Sequence, residues 1–462
     1  MTTTDTTAQV PEGYVLRMVD PRSIVDNPDN ARKPKANREG LAASIKALGI
    51  LTPPLVWELA DGTLRLIAGE RRKYSAIAAG LDTIPVYVRN DLSPVQQVAG
   101  MLVENMDRES LSTVEEACAI QQLAGFEGMS TQAITEMTGL KAAQVRQAIK
   151  VAESEVASAV TERFDLSLDQ AAVVAEFQDD REAVKALTLC AREEPGQFKH
   201  LASQLREQRK ENAERAAVVA ALEADGLVVI EAPAWGYDGP IARLSSLVDD
   251  KGRDITEKAH AKCPGHAVAL NRWSTDRHDA YCLDPAANGH VLRRSQTSGS
   301  PSGTAGGGMT DEQKAERREV VENNRAWKAA EVVRREHVTE LLARRSVPKD
   351  TLRFAVTDCL THPDRLSADD ALLATLTGRT VPKNGFGHQV GPKVVADAPD
   401  NRLALALLAQ VATAIEAGTG THTWRHVDAR VAAWFTYLVS TGYTLSAVEQ
   451  LVVDKAKKGG GR

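Results

Sequence analysis

Between Leu64 and Ala78 the spacing of apolar residues changes once, and the change falls on a glycine. Leu64, Leu66 and Ile67 read as the end of a strand, and Gly69 breaks it. Glu70-Arg71-Arg72 then opens a segment in which Tyr74, Ile77 and Ala78 recur at helical spacing. A chain that passes from strand to helix through a glycine leaves backbone N–H groups open at the helix start. Two guanidinium groups stand beside them here. That combination suits a phosphate. Charge runs at helix starts are commonly just solvated, so the stretch takes its meaning from its surroundings.

Those surroundings predict a small α+β unit over residues 14–110. Tyr14–Val19 alternates as a strand does, and Pro21, Asn27-Pro28 and Asp29-Asn30 mark turns. Leu41, Ile45 and Leu48 fall at i, i+4 and i+7, with Gly49 where a helix-ending glycine belongs. Leu55-Val56-Trp57 and Thr63–Ile67 form a hairpin across Asp61-Gly62. The helix after Gly69 closes at Gly80 and leads to a strand at Ile84–Val88. A further helix, Val98–Val103, runs into Glu104-Asn105 and Arg108, a carboxylate, an amide and a cation suited to a hydrated Mg²⁺ and a phosphate. The plainer reading is a capped helix end, with Ser112 or Thr113 as the cap and Glu115 and Glu116 in the next first turn.

Composition narrows the function classes. A chain of 462 residues exceeds one ordinary domain. A net charge of −6 describes no generally basic nucleic-acid protein but leaves room for a local basic face. Aromatics at 4% disfavour base stacking on single strands. No apolar run reaches membrane-spanning length, and the polar start Met1–Gln9 lacks the regions of a signal peptide. Five cysteines spread over the chain make no disulfide framework, so the expectation is a soluble cytoplasmic protein without a membrane partner.

Residues 111–222 read as successive helices. Glu115–Leu123 ends near Gly125, Ser130 and Thr131 cap Gln132–Thr138, and Gly139-Leu140-Lys141 turns tightly into Ala142–Val151. Helix, glycine turn and helix of this size predict a helix-turn-helix whose second helix enters the major groove. Lys141, Gln144, Arg146, Gln147 and Lys150 are the side chains placed to reach DNA, with Thr131 and Gln132 at the start of the preceding helix. The alternative is a helical bundle with a wet polar face. The helices Val160–Phe164, Leu168–Phe177 and Ala183–Ala191 would complete that bundle, and Phe198–Ala221 reads as a solvated linker helix.

Several spaced motifs now stand in one order: Asn27-Pro-x-Asn-x-Arg32, Leu41-x-x-Ser44-Ile45-x-x-x-Gly49, Ala68-Gly-Glu-Arg-Arg72, Gly80-Leu-Asp-Thr-Ile-Pro85 and Glu104-Asn-x-x-Arg108-x-x-Leu111-x-x-x-Glu115-Glu116-Ala117. Over residues 14–155 the chain resembles ParB proteins, the centromere-binding proteins of plasmid and chromosome partition. The resemblance implies a ParB/sulfiredoxin-like N-terminal domain that binds CTP with Mg²⁺, hydrolyses it slowly and works as a sliding clamp on DNA. It implies that Gly69, Glu70, Arg71 and Arg72 hold the triphosphate, that Glu104 and Asn105 lie at the Mg²⁺, and that Arg108 lies near the phosphates. Glu70 and Arg108 would then serve hydrolysis. It further implies a homodimer on a palindromic double-stranded site, a ParA-type ATPase partner, and a place on the nucleoid or a plasmid. The sulfiredoxin branch carries a cysteine where this chain has Glu70-Arg71, and no cysteine precedes Cys118, which excludes that redox chemistry. Ala31 stands where the family often has proline. Lys141-Ala142 replaces a common Ser-Arg pair, which points to a different DNA site.

Beyond the helices, a strand at Gly226–Glu231 opens a small unit over residues 225–294. Cys263-Pro-Gly-His266, Cys282 and His290 supply two thiols and two imidazoles for a tetrahedral structural Zn²⁺, with His260 and His278 as competing ligands. Two buried thiols with surface histidines are the alternative. Residues 295–309 are a Gly/Ser-rich linker, and residues 310–455 a helical, self-associating domain whose face includes Val320, Val321, Trp327, Val332 and Val333. Later helices are Leu403–Ile415 and Val431–Leu438, and the tail from Lys455 to Arg462 is basic. The chain as a whole is predicted to be predominantly α. Two other functions fit the same elements: a plasmid or phage transcriptional regulator using the helix-turn-helix, or a nuclease or nucleotide-dependent kinase built on the N-terminal fold.

Overall fold

The alternating N-terminal segments pair into one mixed sheet. A computed structural model describes residues 14–26, 39–59, 61–89, 93–107, 111–233, 237–238, 241–271, 277–293, 311–366, 369–381 and 390–459. The chain divides into two compact units, Met1–Phe198 and Lys199–Arg462.

The first unit begins β1 (Val15–Val19), α1 (Glu39–Leu48), β2 (Leu55–Glu58), β3 (Leu64–Ala68), α2 (Glu70–Ala78) and β4 (Ile84–Arg89). The strand order is β1-β4-β2-β3: β1 and β4 are antiparallel, β4 and β2 parallel, β2 and β3 an antiparallel hairpin with a bulge at Leu55/Val56. Gly62 at φ 80° and a hydrogen bond from Thr63 N to Asp61 Oδ1 (2.9 Å) make the hairpin turn. One core contains Ile45, Val56, Leu66, Ala76, Ile84 and Val86, all buried. Each of the buried Ile, Val and Leu side chains contributes roughly 1.5–3 kcal/mol by leaving water. Leu48, expected on the inner face of α1, is instead 66% exposed, because the buried contacts end one turn earlier at Ile45.

Among the described residues seven more helices follow in this unit: α3 (Pro94–Asp107), α4 (Thr113–Ala124), α5 (Thr131–Thr138), α6 (Ala142–Glu153), α7 (Glu155–Phe164), α8 (Leu168–Glu176) and α9 (Arg181–Glu193). Helix α3 does the joining. Its Val98, Ala99 and Leu102 share one core with Ile67 of β3 and with Ile120, Leu123, Ile134 and Val145 of the helices beyond. Serine caps set the helix starts, with Ser112 and Glu115 forming a reciprocal capping box at α4 and Ser130 accepting from Ala133 N at α5.

The second unit runs through α10 (Phe198–Ala224), then a small β region: β5 (Tyr237–Asp238), β6 (Ile241–Arg243), β7 (Leu247–Val248), α11 (Glu257–His260), β8 (His266–Leu270), β9 (His278–Cys282) and β10 (Val291–Leu292). One sheet has the order β5-β6-β9-β8, and β7 pairs with β10. The strand expected at Gly226–Glu231 is reduced to a single bridge, Val229 with Val268, held by two backbone hydrogen bonds along the outer side of β8. The remainder is helical: α12 (Asp311–Ala343), α13 (Thr351–Thr361), α14 (Asp370–Thr377), α15 (Val390–Ala396), α16 (Leu403–Ala417), α17 (Ala429–Ser440) and α18 (Ala447–Gly459). Trp327 and Val333 enter its core with Leu408, Trp434 and Phe435, whereas Val332 of the expected face is 53% exposed. No helix among the described residues is long and apolar enough to cross a membrane.

Candidate nucleotide and DNA site

Gly69 shapes the site because a side chain at its position would be strained. Its φ of 102° is left-handed, and a Cβ there would lie 3.0 Å from both Cα and Cβ of Pro54. The strand-to-helix turn is therefore pressed against the Pro53-Pro54 loop. Arg72 locks the same contact from the other side: its Nη1 donates to the carbonyl oxygens of Thr52 (2.6 Å) and Pro53 (3.1 Å). Tyr87 N donates to Pro54 O at 2.9 Å, which fastens this ledge to β4.

The three cations after Glu70 thus have three different environments. Lys73 is buried and its Nζ lies 2.6 Å from Asp26 Oδ1, while Tyr74 donates its hydroxyl to the same carboxylate. Arg72 spends donors on loop carbonyls. Arg71 is exposed and has no ion pair among the described residues. Arg71 and Arg72 occupy the second and third positions of α2, where the helix dipole and open N–H groups carry partial positive charge. Cations at that end are disfavoured unless an anion sits with them.

Lys73, Tyr74 and Asp26 were not singled out from the sequence. The only signal was the apolar-to-charged position of Lys73 within α2, which reads equally as a solvated face. Glu104 and Asn105 belong to the last turns of α3, but their side chains lie outside the described residues, as do Arg108 and the whole Asn27–Arg32 motif.

Further along the first unit, Gly139 at φ 73° makes a tight turn between α5 and α6. Val145, Ala148 and Val151 are buried, and Ala143, Arg146, Gln147 and Lys150 form the opposite face at i, i+3, i+4 and i+7. Lys141 and Arg146 are exposed and Gln147 half-buried. Lys150 Nζ leans to within 3.9 Å of Glu176. Gln144 is occupied locally, its Oε1 accepting from Lys141 N at 3.0 Å to cap α6. Gln132 Nε2 donates to Glu136 at 2.9 Å, and Thr131 is the half-buried first residue of α5.

In the second unit, Cys263, Cys282 and His290 come together as the spacing suggested, but His260 joins them in place of His266. The correction follows from the strand register. His266 opens β8 opposite Cys282, and its Nδ1 meets His260 Nδ1 at 2.8 Å, so it stands behind the cluster. His278 is drawn away to Glu257 Oε1 at 3.3 Å. Burial first, then the charges of His266 and His290, lowers the His260 pKa to about 4 and keeps the ring neutral.

Residues 4–106 match the ParB N-terminal domain family. Over 138 residues the chain is 36% identical to the probable chromosome-partitioning protein ParB of Treponema pallidum (strain Nichols), covering 29% of this chain and 42% of that protein. It is 29% identical over 145 residues to the nucleoid occlusion protein of Bacillus mycoides (strain KBAB4), covering 31% of this chain and 47% of that one. The chain thus spans less than half the length of these curated relatives. Among solved structures, it is similar to the C-terminally truncated ParB from Caulobacter crescentus complexed to the centromeric parS site, at 24% identity, 37% and 91% coverage and a TM-score of 0.29. The same Caulobacter protein complexed with CTP-gamma-S gives 25% identity, 37% and 98% coverage and a TM-score of 0.19.

Proposed function

We propose that this protein is a sequence-specific DNA-binding partition protein of the ParB type, a clamp gated by CTP. The observation that carries the reading is the placement of Arg71 and Arg72 at the positive end of α2, on a ledge fixed by Gly69 and Pro54. A bound triphosphate would sit at the open N–H groups of this helix start, beside Arg71 and Arg72. Arg71 presents an open guanidinium to it, and Arg72 holds the Thr52-Pro53 loop so that the backbone N–H groups of the first turn keep their direction. Glu70, first in the helix, is the chain's candidate for orienting water in slow hydrolysis, with Arg108 beside the phosphates. Glu104 and Asn105 are the candidates for Mg²⁺; that role rests on the resemblance.

Helices α5 and α6 act as the helix-turn-helix. Arg146 and Gln147 read base edges, Lys141 and Lys150 neutralise phosphates, and Gln144 keeps the start of α6 in register. Because α3 packs on both β3 and the DNA-reading helices, a change at the nucleotide ledge has a packed route to the DNA face. Two chains would meet on a palindromic site, with a ParA-type ATPase as the partner that moves the complex.

Nucleotide turnover by the purified chain, with each of the four NTPs and with or without its selected DNA site, tests this. CTP turnover that rises with DNA supports the clamp. Site-specific DNA binding with no nucleotide bound would instead make the protein a transcriptional regulator. Mg²⁺-dependent DNA cleavage lost in Glu70→Ala would make it a nuclease.

A further inference from the structure

The β region of the second unit has little to hold it together. Among the described residues its buried clusters are small, one formed by Ala242, Leu244, Leu247 and Cys282, another by Leu222, Val268 and Leu270, with Ala267, Ala269 and Tyr281 also buried. A unit with so little apolar burial ordinarily needs a staple. The structure supplies candidate atoms for one, from four separate places in the chain: the end of α11, the turn before β8, the end of β9, and the turn before β10.

We propose that His260, Cys263, Cys282 and His290 bind one structural Zn²⁺. Their ligand atoms all lie within 4.8 Å of one another. Cys263 Sγ and His290 Nε2 are 3.6 Å apart. With Zn–S near ~2.3 Å and Zn–N near ~2.05 Å, two ligands of a tetrahedral ion stand about 3.5 Å apart, so this pair already spans one edge of the tetrahedron. His260 is 1% exposed, and its Nε2 has no hydrogen-bond partner. A buried ring nitrogen left unpaired costs about 1–3 kcal/mol, which a metal bond offsets. Its other nitrogen, Nδ1, meets His266 Nδ1 at 2.8 Å, the outer hydrogen bond that orients a ligating imidazole.

The surroundings fit the same ion. Asn288 Nδ2 reaches Cys282 Sγ at 3.6 Å and Asp284 O at 2.7 Å, so an amide N–H faces the sulfur that would carry thiolate charge. Gly265 lets the Cys263–His266 turn close over Cys282: a Cβ there would sit 3.0 Å from that sulfur and 2.5 Å from the Asn288 amide. Leu283 N donates to Gly265 O at 2.8 Å and holds the turn down. A disulfide between the two cysteines would use neither histidine. Two thiolates and two imidazoles in a closed set, with no carboxylate and no open position, favour Zn²⁺ in a structural role over a catalytic one. Binding ties α11, β8 and β9 together at a point where the apolar core is thinnest, and it does so independently of any nucleotide or DNA site.

The test uses the full-length chain, purified under reducing conditions with zinc supplied and then desalted. Metal analysis is expected to give one zinc per chain. Cobalt(II) substitution is expected to give thiolate charge-transfer and tetrahedral ligand-field bands. Cys263→Ser and His290→Gln, both at half-buried positions, should each lose most of the zinc while the circular dichroism of the helical remainder stays unchanged. His266→Gln should retain it, and His260→Gln should not. Absence of stoichiometric zinc from the wild-type chain would overturn the proposal, as would a Cys263–Cys282 disulfide formed in its place. Zinc kept by the Cys263→Ser/His290→Gln double variant would place the metal elsewhere. Zinc lost by His266→Gln but kept by His260→Gln would overturn the ligand assignment.

Discussion

Arg71 and Arg334 carry the same guanidinium group in opposite settings. Arg334 of α12 is completely buried, with Nε and Nη2 donating to Glu416 at 2.7 and 2.9 Å and Nη1 to Glu449 at 2.6 Å. Trp434 Nε1 also donates to Glu416 (2.8 Å), and Tyr443 and Ser446 donate to Glu449. The two carboxylates raise the pKa of Arg334 despite the opposing effect of burial, and burial followed by Glu449 raises that of the Tyr443 phenol. Every charge in that network has its partner within the chain. Arg71 stands exposed at the positive end of α2, where the chain offers it no partner among the described residues. A cation neutralised internally serves architecture; an exposed cation in the first turn of a helix is free to serve a ligand, which is the role proposed for Arg71. Arg72 lies between the two, half-buried and bound to backbone carbonyls that carry no formal charge.

That contrast can be broken by substitution, and the largest effect belongs to Arg334. Arg334→Ala strands two buried carboxylates and is expected to destabilise the helical part of the second unit by about 3–5 kcal/mol. Denaturant unfolding followed by fluorescence of Trp327, Trp424 and Trp434 checks it. A loss below about 1 kcal/mol would mean that the network is solvated and the contrast false. Next comes the DNA face: Arg146→Ala should cost about 1–3 kcal/mol of discrimination at one base position, whereas Lys141→Ala should weaken binding uniformly and reduce its salt dependence. Competition binding with single-base variants of the selected site separates the two. Smallest is Gly69→Ala, whose left-handed backbone and contact with Pro54 predict a loss of about 1–2 kcal/mol in the stability of the first unit. It should also weaken nucleotide binding, because the ledge has to shift.

The N-terminal strand, turn and helix were legible because their signal is local. One glycine separates two apolar periods, and the strand, the helix and the hairpin turn all fall within a few residues of it. The division of labour among Arg71, Arg72 and Lys73 was not legible. It depends on Thr52, Pro53 and Asp26, and the sequence presents three adjacent cations with nothing to rank them. The Arg334 network was hidden for the same reason on a larger scale, since its carboxylates lie 82 and 115 residues away in sequence. Cysteine and histidine spacing found the second-unit cluster but chose His266 over His260, because the register of β8 against β9 decides which ring turns inward. The strand expected at Gly226–Glu231 has the composition of one but finds only two backbone partners along β8.

The central claim is that Arg71 is held open for a triphosphate while DNA is read elsewhere. Isothermal titration of CTP into the wild-type chain and into Arg71→Ala, in Mg²⁺, tests it most directly when DNA binding is measured on the same samples. Removing a charge-assisted phosphate contact is expected to cost about 2–5 kcal/mol, so CTP affinity should fall by roughly 30-fold or more. Site-specific DNA affinity without nucleotide, and thermal stability, should remain at wild-type values. CTP binding that survives Arg71→Ala, or DNA binding that disappears with it, would contradict the account.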